Sequence, residues 1–358
     1  MDKLTVKQIK QTKEYKNLVY IGKSKLKKKD LLNVIKNNIM DEKLLIISKL
    51  SKLQEIHKLL GDRFRADAYL NGIRIIRNYQ GTLPRNKKDL KEIDGIGKGL
   101  SEKIEEIIST GRLKKLEELE NDPSIKSILQ LTRIVGIGPK LSKKLIKSKI
   151  TSIQQLKQKV QDGEIKLTNS QSLGLKYFDD LNTRIPRNEI EKFEKKLHKI
   201  VNKTDPDLSA QIMGSYIRGQ SNSGDIDILL SHKNIHDKAS MDKDYIKEIV
   251  DSLKKKYENV GTLSHGKFKY MGLFKLDKIV RHIDIIFVPM ESLPTAISYF
   301  VGSKIFNMKM RETAKRKGYK LNEYGLYDEY GEQIKLKSER ELFDKLGIEY
   351  LEPEERDK

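Results

Sequence analysis

The stretch Met213–His232, MGSYIRGQSNSGDIDILLSH, places Asp225 and Asp227 with one residue between them at the start of an apolar run, shortly after Gly214 and Ser215. Alternate residues of a strand face the same side, so the two carboxylates are expected to project together. Ile226, Ile228 and Leu229 are expected to form the buried side. Two like charges on one face repel unless a cation lies between them, which favours a divalent metal. An Asp-x-Asp pair at a strand edge is also a common solvated feature, so the pair alone leaves both readings open.

A third acid bears on the choice. Asp284 lies in RHIDIIFVP, one of the most apolar stretches of the chain, with Ile283 and Ile285 expected on the opposite face. A carboxylate inside a strand needs a partner, and a metal, Arg281 or His282 could serve; a plain salt bridge to Arg281 is the simpler reading. Three carboxylates on adjacent strands would suit a two-metal site that clamps attacking and leaving oxygens. With Gly214, Ser215 and Arg218 able to meet terminal phosphates, this pattern describes a nucleotidyltransferase. The chain has no cysteine and only six histidines. Disulfides, zinc fingers and thiol catalysis are excluded, and oxygen ligands point to Mg²⁺ or Mn²⁺.

The 358 residues leave room for two or three domains, and the hydrophobic fraction of 37% fits a soluble chain. Apolar runs such as IDIIFVP fall far short of the roughly 20 residues of a membrane span. The start, MDKLTVKQIK, lacks the apolar segment of a signal peptide, so an intracellular protein is expected, with no membrane association. The formal net charge of +21 favours a polyanionic partner, nucleic acid before others. The lysine excess could instead serve solubility or reflect an A/T-rich genome.

The first 60 residues hold 15 lysines, no arginine and 6 acidic residues. Up to about Lys29 they read as a mobile basic arm. Helical spacing follows to Leu60, interrupted near Asp41, and again in RADAYLNGIRIIRNY. Turns are expected at Gly81–Pro84 and at Asn121–Ser124, and the chain is expected to stay helical to about residue 200. After Pro206, β-rich runs appear at AQIMGS, DIDILLS, FKYMGLFKL and RHIDIIFVP, with a helix over KDYIKEIVDSLKKKYENV. The tail is mixed and ends acidic.

The helical half contains a repeat: LKEIDGIGKGLSEKIEEII, from Leu90, and LTRIVGIGPKLSKKLIKSK, from Leu131. Each has a short apolar helix, Gly-Ile-Gly, then a basic amphipathic helix. Such a turn can aim backbone amides at a phosphate oxygen, helped by the helix dipole and nearby lysines. A glycine turn that only packs helices is the alternative. Both copies resemble helix-hairpin-helix motifs, which grip DNA backbone through residues such as Gly95, Gly97, Lys98, Gly136, Gly138 and Lys140. That resemblance implies a monovalent cation, Na⁺ or K⁺, on the carbonyls of Lys91, Ile93 and Ile96 and of Thr132, Ile134 and Ile137.

The segments GSYIRGQSNSGDIDILL, HIDIIFVP and YFVGSKIFNMKMRETAKRKGYKLNEYGLY resemble the family X DNA polymerases, the group that includes DNA polymerase beta. TRIVGIGPKLSKKL and LGLKYFDDLNTRIPRNEI extend the likeness, which runs from about residue 55 onward. The resemblance implies that Asp225 and Asp227 bind two metals, and that Asp284 completes the catalytic one and helps to deprotonate a primer 3′-OH. Ser215 and Arg218 would hold a dNTP triphosphate, with Gly214 and Gly224 admitting it closely. Tyr299, Phe300 and Gly302 would line the sugar and Asn307 would meet the base edge. Arg311, Asn322, Glu323 and Tyr324 would monitor template and closure, and Lys269, Arg311 and Tyr324 would contact DNA. In the first half, Lys103 would form a Schiff base with a 5′-deoxyribose phosphate, with Phe64, Arg65 and Tyr69 beside it.

The sequence also departs from the family pattern. Ile217 and His282 stand where arginines are usual, so triphosphate grip and support of Asp284 are expected to be weaker or pH-sensitive. Ile286 replaces another arginine, Lys304 an acid, Met308 a template-stacking lysine and Gly99 a phosphate-binding lysine.

The expectation is therefore an α+β multidomain chain. It comprises a basic extension (1–50), a helical DNA-binding and lyase domain (51–120), a helical subdomain with the second hairpin (121–183), a nucleotidyltransferase palm (184–289) and a small α/β C-terminal subdomain (290–358). The expected enzyme is a monomeric repair polymerase acting on gapped or nicked double-stranded DNA and dNTPs, in the nucleus or another DNA-containing compartment. A template-independent or error-prone transferase and a non-catalytic DNA-binding protein are the alternatives.

Overall fold

The computed structural model describes residues 28–357, with side chains from Asp41 onward. The basic arm expected before Lys28 lies outside the described residues. The chain forms two compact units, one taking the described residues to Thr132 plus Ile137–Lys159, the other Arg133–Gly136 and the chain from Val160.

The first unit is helical. Its longest helix, Lys28–Leu60, runs without the expected interruption near Asp41. Asp41 is exposed, and Glu42 pairs with Arg85 at 2.9 Å, so these acids lie on the helix surface and do not cap a break. Ile46, Leu50, Leu53 and Ile56 recur at helical spacing and are all buried. They join Tyr69, Ile73, Ile76, Leu90, Ile104 and Ile107 in one core. Ile46 and Leu50 fall inside the segment expected as an extension, yet belong to this core. Asp62 caps the next helix, Arg63–Asn78, by accepting the Arg65 backbone N–H.

The two Gly-Ile-Gly turns adopt matching backbones. Gly95 and Gly136 have φ of +81° and +84°, a region that costs a side-chain-bearing residue about 1–2 kcal/mol. Gly97 and Gly138 then cap the helices Lys98–Thr110 and Pro139–Lys147 with φ of −78° and −89° and no side-chain cap bond. Nothing lies within 4 Å of where a Cβ would stand on either capping glycine, so both helix starts are unobstructed on that side.

Beside a small pair, β1 (Ile185–Pro186) and β3 (Asn222–Ser223), the second unit is built on five strands, β2 (Leu208–Ile212), β4 (Ile226–His232), β5 (Glu258–His265), β6 (Lys269–Leu276) and β7 (Ile279–Phe287), in the order β2-β4-β7-β6-β5. Only β4 and β7 pair in parallel. The helices Arg187–Thr204 and Tyr245–Lys254 supply Phe193, Leu197, Ile246, Ile249 and Val250 to a core with Ile226, Ile228, Leu230, Ile283 and Ile285. Leu229 does not share that side as expected. It alternates with Ile228 and Leu230 and packs on the other face with Met213, Val288, Ala296 and Val301. Both faces of β4 are thus covered, as befits a parallel-paired strand.

Strand β5 was not foreseen. The helix expected over residues 243–260 ends at Lys254, and Glu258 begins the strand. β5 is half-exposed and bulged, which hides the period of two. The C-terminal part holds three short strands, β8 (Lys320–Asn322), β9 (Gly325–Tyr327) and β10 (Gln333–Ile334), and three helices, Leu293–Val301, Lys304–Arg316 and Glu339–Leu346. Phe306, Met310, Leu326, Leu342 and Phe343 form its core. The α+β class expected from the sequence is the one found.

Candidate active site

Parallel pairing sets Asp227 of β4 directly beside Asp284 of β7. Asp225 sits exposed just ahead of β4. Asp227 is pushed up to about 7, first by burial, then by repulsion from Asp225 and Asp284, against the pull of Lys269 and Arg218. Asp284 is also raised, by burial above all, against His282 and Lys269. Solvent therefore does not satisfy these carboxylates as it would a surface pair.

Local backbone presses the next element onto them. The Met213 N–H donates to the Asp227 carbonyl at 2.9 Å. Gly214 follows with φ of +63°, and a Cβ there would stand 2.4 Å from Asp227 Oδ2. Only glycine brings the chain this close to the carboxylate. Gly214 opens a four-residue helical turn, Gly214–Ile217. Ser215 Oγ in this turn donates to Ser223 Oγ at 2.9 Å. At its end, Arg218 donates through Nε to Asp357 Oδ2 at 2.8 Å and through Nη1 to the Val301 carbonyl at 2.5 Å. Gly224 lies beneath Arg184, whose Nη1 would stand 3.1 Å from a Cβ.

The partner of Asp284 is His282, not Arg281. His282 Nε2 lies 3.1 Å from Asp284 Oδ1, an ion-pair distance, yet without hydrogen-bond alignment, and each atom is buried with no other partner. Arg281 is an odd number of residues from Asp284 along β7 and so points the other way. It makes a two-pronged pair with Glu189 at 2.8 and 2.9 Å and donates to the Thr183 carbonyl. An acceptor oxygen buried without a hydrogen bond, beside a second strained carboxylate, fits a divalent cation with oxygen ligands.

A second group of ligating side chains, Asp205, Asp207 and His232, lies within 4.8 Å and could hold a metal ion. It sits at the far end of β4 from Asp227. Its atoms are already occupied: Lys233 pairs with Asp207 at 2.5 Å, Tyr245 donates to Asp205 at 3.1 Å, and the Asn234 N–H donates to His232 Nδ1 at 3.2 Å.

In the C-terminal part, Tyr299 and Phe300 are half-buried with their rings edge to face at 5.0 Å. Asn307 Nδ2 donates to the Tyr299 carbonyl at 2.7 Å, and the Arg311 guanidinium lies 5.2 Å from the Tyr299 ring centre. Gly302 has φ of +72° and lies against Arg218 Nη1. Tyr324 is exposed, with Lys238 Nζ 4.3 Å from its ring centre. Lys269, at the start of β6, is exposed.

In the first unit, Lys103 Nζ donates to the Gly99 carbonyl at 3.1 Å and lies 6.0 Å from the ring centre of Tyr69. Tyr69 itself is buried, which raises its hydroxyl above the usual range. Phe64 is 86% exposed and Arg65 pairs with Asp62 at 2.8 Å. The Ile93 carbonyl accepts the Ile96 N–H at 2.9 Å inside the first hairpin. The sequence reading missed Asp357 and Arg184, which approach Arg218 and Gly224. Asp357 is 139 residues from Arg218 in the chain, and no local motif points to it.

Glycine-forced approach, paired strand carboxylates and an arginine at the following turn define a nucleotidyltransferase palm. Four family models match in order: a helix-hairpin-helix domain at 41–113, the fingers domain of DNA polymerase lambda at 129–182, the DNA polymerase beta palm at 184–290 and the DNA polymerase beta thumb at 296–357. The chain belongs to the family X DNA polymerases. It is 32% identical over 329 residues to DNA polymerase lambda of Arabidopsis thaliana, covering 85% of this chain and 60% of that protein. It is 28% identical over 331 residues to DNA polymerase lambda of Rattus norvegicus, covering 87% and 56%. It is 29% identical over 343 residues to DNA nucleotidylexotransferase of Xenopus laevis, covering 85% and 66%. The chain thus spans less than two thirds of the length of these relatives. Among the described residues no helix is long and apolar enough to cross a membrane.

Proposed function

We propose that this chain is a DNA repair polymerase that fills short gaps by nucleotidyl transfer from a dNTP to a primer 3′-OH. The observation that carries the reading is Asp227 beside Asp284 in the β4–β7 register, with Gly214 pressed onto the Asp227 carboxylate. Asp225, Asp227 and Asp284 would hold two Mg²⁺ or Mn²⁺ ions. When bound, these ions offset the charge that develops between the attacking and leaving oxygens. Asp284 would also help to take the proton of the primer hydroxyl. Ser215 and Arg218 bind and orient the triphosphate, so the 3′-oxygen attacks the α-phosphorus in line and pyrophosphate leaves. Tyr299, Phe300 and Gly302 line the sugar, and Asn307 meets the base edge. Asp284→Ala is expected to abolish primer extension on a one-nucleotide gap while DNA binding persists. Unchanged extension would overturn the reading.

The first unit supports a second step of the same repair. Lys103, fixed between Gly99 and Tyr69 on the helix behind the first hairpin, is the candidate nucleophile for releasing a 5′-deoxyribose phosphate. The helix starts after Gly97 and Gly138, with Lys98 and Lys140, are the candidate phosphate grips, and the hairpin carbonyls the candidate Na⁺ or K⁺ sites. Borohydride should trap the substrate on wild type and not on Lys103→Ala; equal trapping would assign the wrong lysine. The protein would work as a monomer on gapped DNA in a DNA-containing compartment. The likeness to DNA nucleotidylexotransferase favours one other reading, template-independent addition. Single dNTPs offered to gapped and single-stranded primers separate the two.

A further inference from the structure

Within the second unit, the C-terminal tail ends against the turn assigned to the triphosphate. Asp357 Oδ2 accepts from Arg218 Nε at 2.8 Å and from Gln220 Nε2 at 2.9 Å. Between those residues, Gly219 abuts the tail, since a Cβ there would stand 3.2 Å from Glu354 Cγ. Three successive residues of the palm turn therefore meet Glu354 and Asp357.

The tail is held firmly one residue earlier. Arg356 is 1% exposed, forks onto Glu339 at 2.6 and 3.0 Å and donates to the Leu351 carbonyl at 3.0 Å. Its own carbonyl accepts from Ser303 Oγ at 2.8 Å. Phe306, Phe343 and Tyr350 surround its guanidinium with ring centres 5.1–5.5 Å away. An arginine so fixed leaves its neighbour little choice of position. Asp357 is presented to Arg218 by a rigid support, not by a loose end.

We propose that Asp357 is a positioning residue for nucleotide binding, aiming the Arg218 guanidinium at the triphosphate of the incoming dNTP. The proposal rests on the reading of Arg218 as a triphosphate contact. Asp357 and the Val301 carbonyl hold the guanidinium at two separate points, Nε and Nη1. A guanidinium has five N–H donors in a rigid plane, so fixing it at two points sets the direction of the remaining Nη2 donors, which can meet phosphate oxygens. Orientation matters more here because Ile217 is apolar and packs with Met213, Leu229 and Val301, which leaves Arg218 as the sole arginine of the turn. An arginine already aimed loses less freedom when the ligand arrives.

The test is steady-state filling of a one-nucleotide gap by wild type, Asp357→Ala, Asp357→Asn, Arg218→Ala and the Asp357→Ala/Arg218→Ala double variant, each checked for an unchanged melting temperature. Asp357→Ala is expected to raise KM for dNTP about tenfold, the scale of one charge-assisted hydrogen bond, with kcat within about threefold of wild type. Asp357→Asn keeps an acceptor oxygen and should recover most of the affinity. The double variant should be no worse than Arg218→Ala alone, because the effect runs through that arginine. A KM for Asp357→Ala at or below wild type would overturn the proposal, the lower value meaning that the tail competes with the nucleotide. An additive double variant would overturn it as well. If Arg218→Ala itself leaves KM unchanged, the underlying assignment of Arg218 fails, whatever Asp357 does.

Discussion

At the scale of single residues, burial and mutual repulsion disfavour the charged form of the carboxylate pair. Asp227 is raised to about 7, so between about pH 4 and 7 the folded metal-free protein binds a proton that the unfolded chain has released. This contribution to stability is full below the unfolded value and is lost as pH rises through about 7. Asp227→Asn, which is neutral throughout, should therefore stabilise the metal-free protein relative to wild type by on the order of 2 kcal/mol at pH 8, and by little at pH 4. Paired urea titrations in chelator would show it, and a gap between the proteins that does not change with pH would refute it. Gly214→Ala probes the same contact from the backbone side. Positive φ and a Cβ 2.4 Å from Asp227 Oδ2 should cost roughly 2–3 kcal/mol and at least about a hundredfold in primer extension. The place of Asp227 on β4 was legible because strand alternation and apolar neighbours are local signals, while Asp225 falls just ahead of the strand. Alternation also separates His282 from Arg281 as the neighbour of Asp284, once β7 is known to be a regular strand. The Arg218–Asp357 contact was not legible, since it depends on where the whole C-terminal tail comes to rest.

Among elements, those with strong internal periodicity were read correctly and those defined by their neighbours were not. The helix Lys28–Leu60 passes through Asp41, where a break was expected, and its residues Ile46, Leu50, Leu53 and Ile56 keep a buried helical stripe beyond it. Strand β5 escaped notice because it lies at the sheet edge, half-exposed and bulged, and so lacks a clean alternation. The Arg281–Glu189 pair, 92 residues apart, fastens β7 to the helix Arg187–Thr204 on the face opposite the aspartates. Arg281 is 2% exposed, so removing its partner leaves a buried charge uncompensated. Glu189→Ala is expected to destabilise the protein by about 3–5 kcal/mol. Adding Arg281→Met to that variant should restore much of the loss by removing the orphaned charge. Urea midpoints of the three proteins decide it: a double variant no more stable than Glu189→Ala would mean that the pair acts through shape, not charge.

At the scale of the whole molecule, the division into two units was not readable from motifs. Arg133–Gly136 belongs with the second unit although the residues on both sides of it belong with the first, an exchange set by long-range packing. The net charge of +21 belongs to this scale too, because it is spread along the chain and not gathered in one motif. Lys98 and Lys140 follow the two capping glycines, each exposed in the first turn of a helix that has no side-chain cap. If these turns grip backbone phosphates, each lysine neutralises about one phosphate and displaces condensed counterions. Affinity for gapped DNA should then fall about 10³–10⁵-fold between roughly 50 and 200 mM salt, as for a protein making six to ten phosphate contacts. Lys98→Gln/Lys140→Gln should weaken binding alike on unrelated sequences and reduce the slope of log affinity against log salt by about 2. Fluorescence anisotropy across a salt series, on two gapped duplexes of different sequence, measures both quantities. A slope unchanged by the two substitutions would move the phosphate grip away from the hairpins to other basic surface.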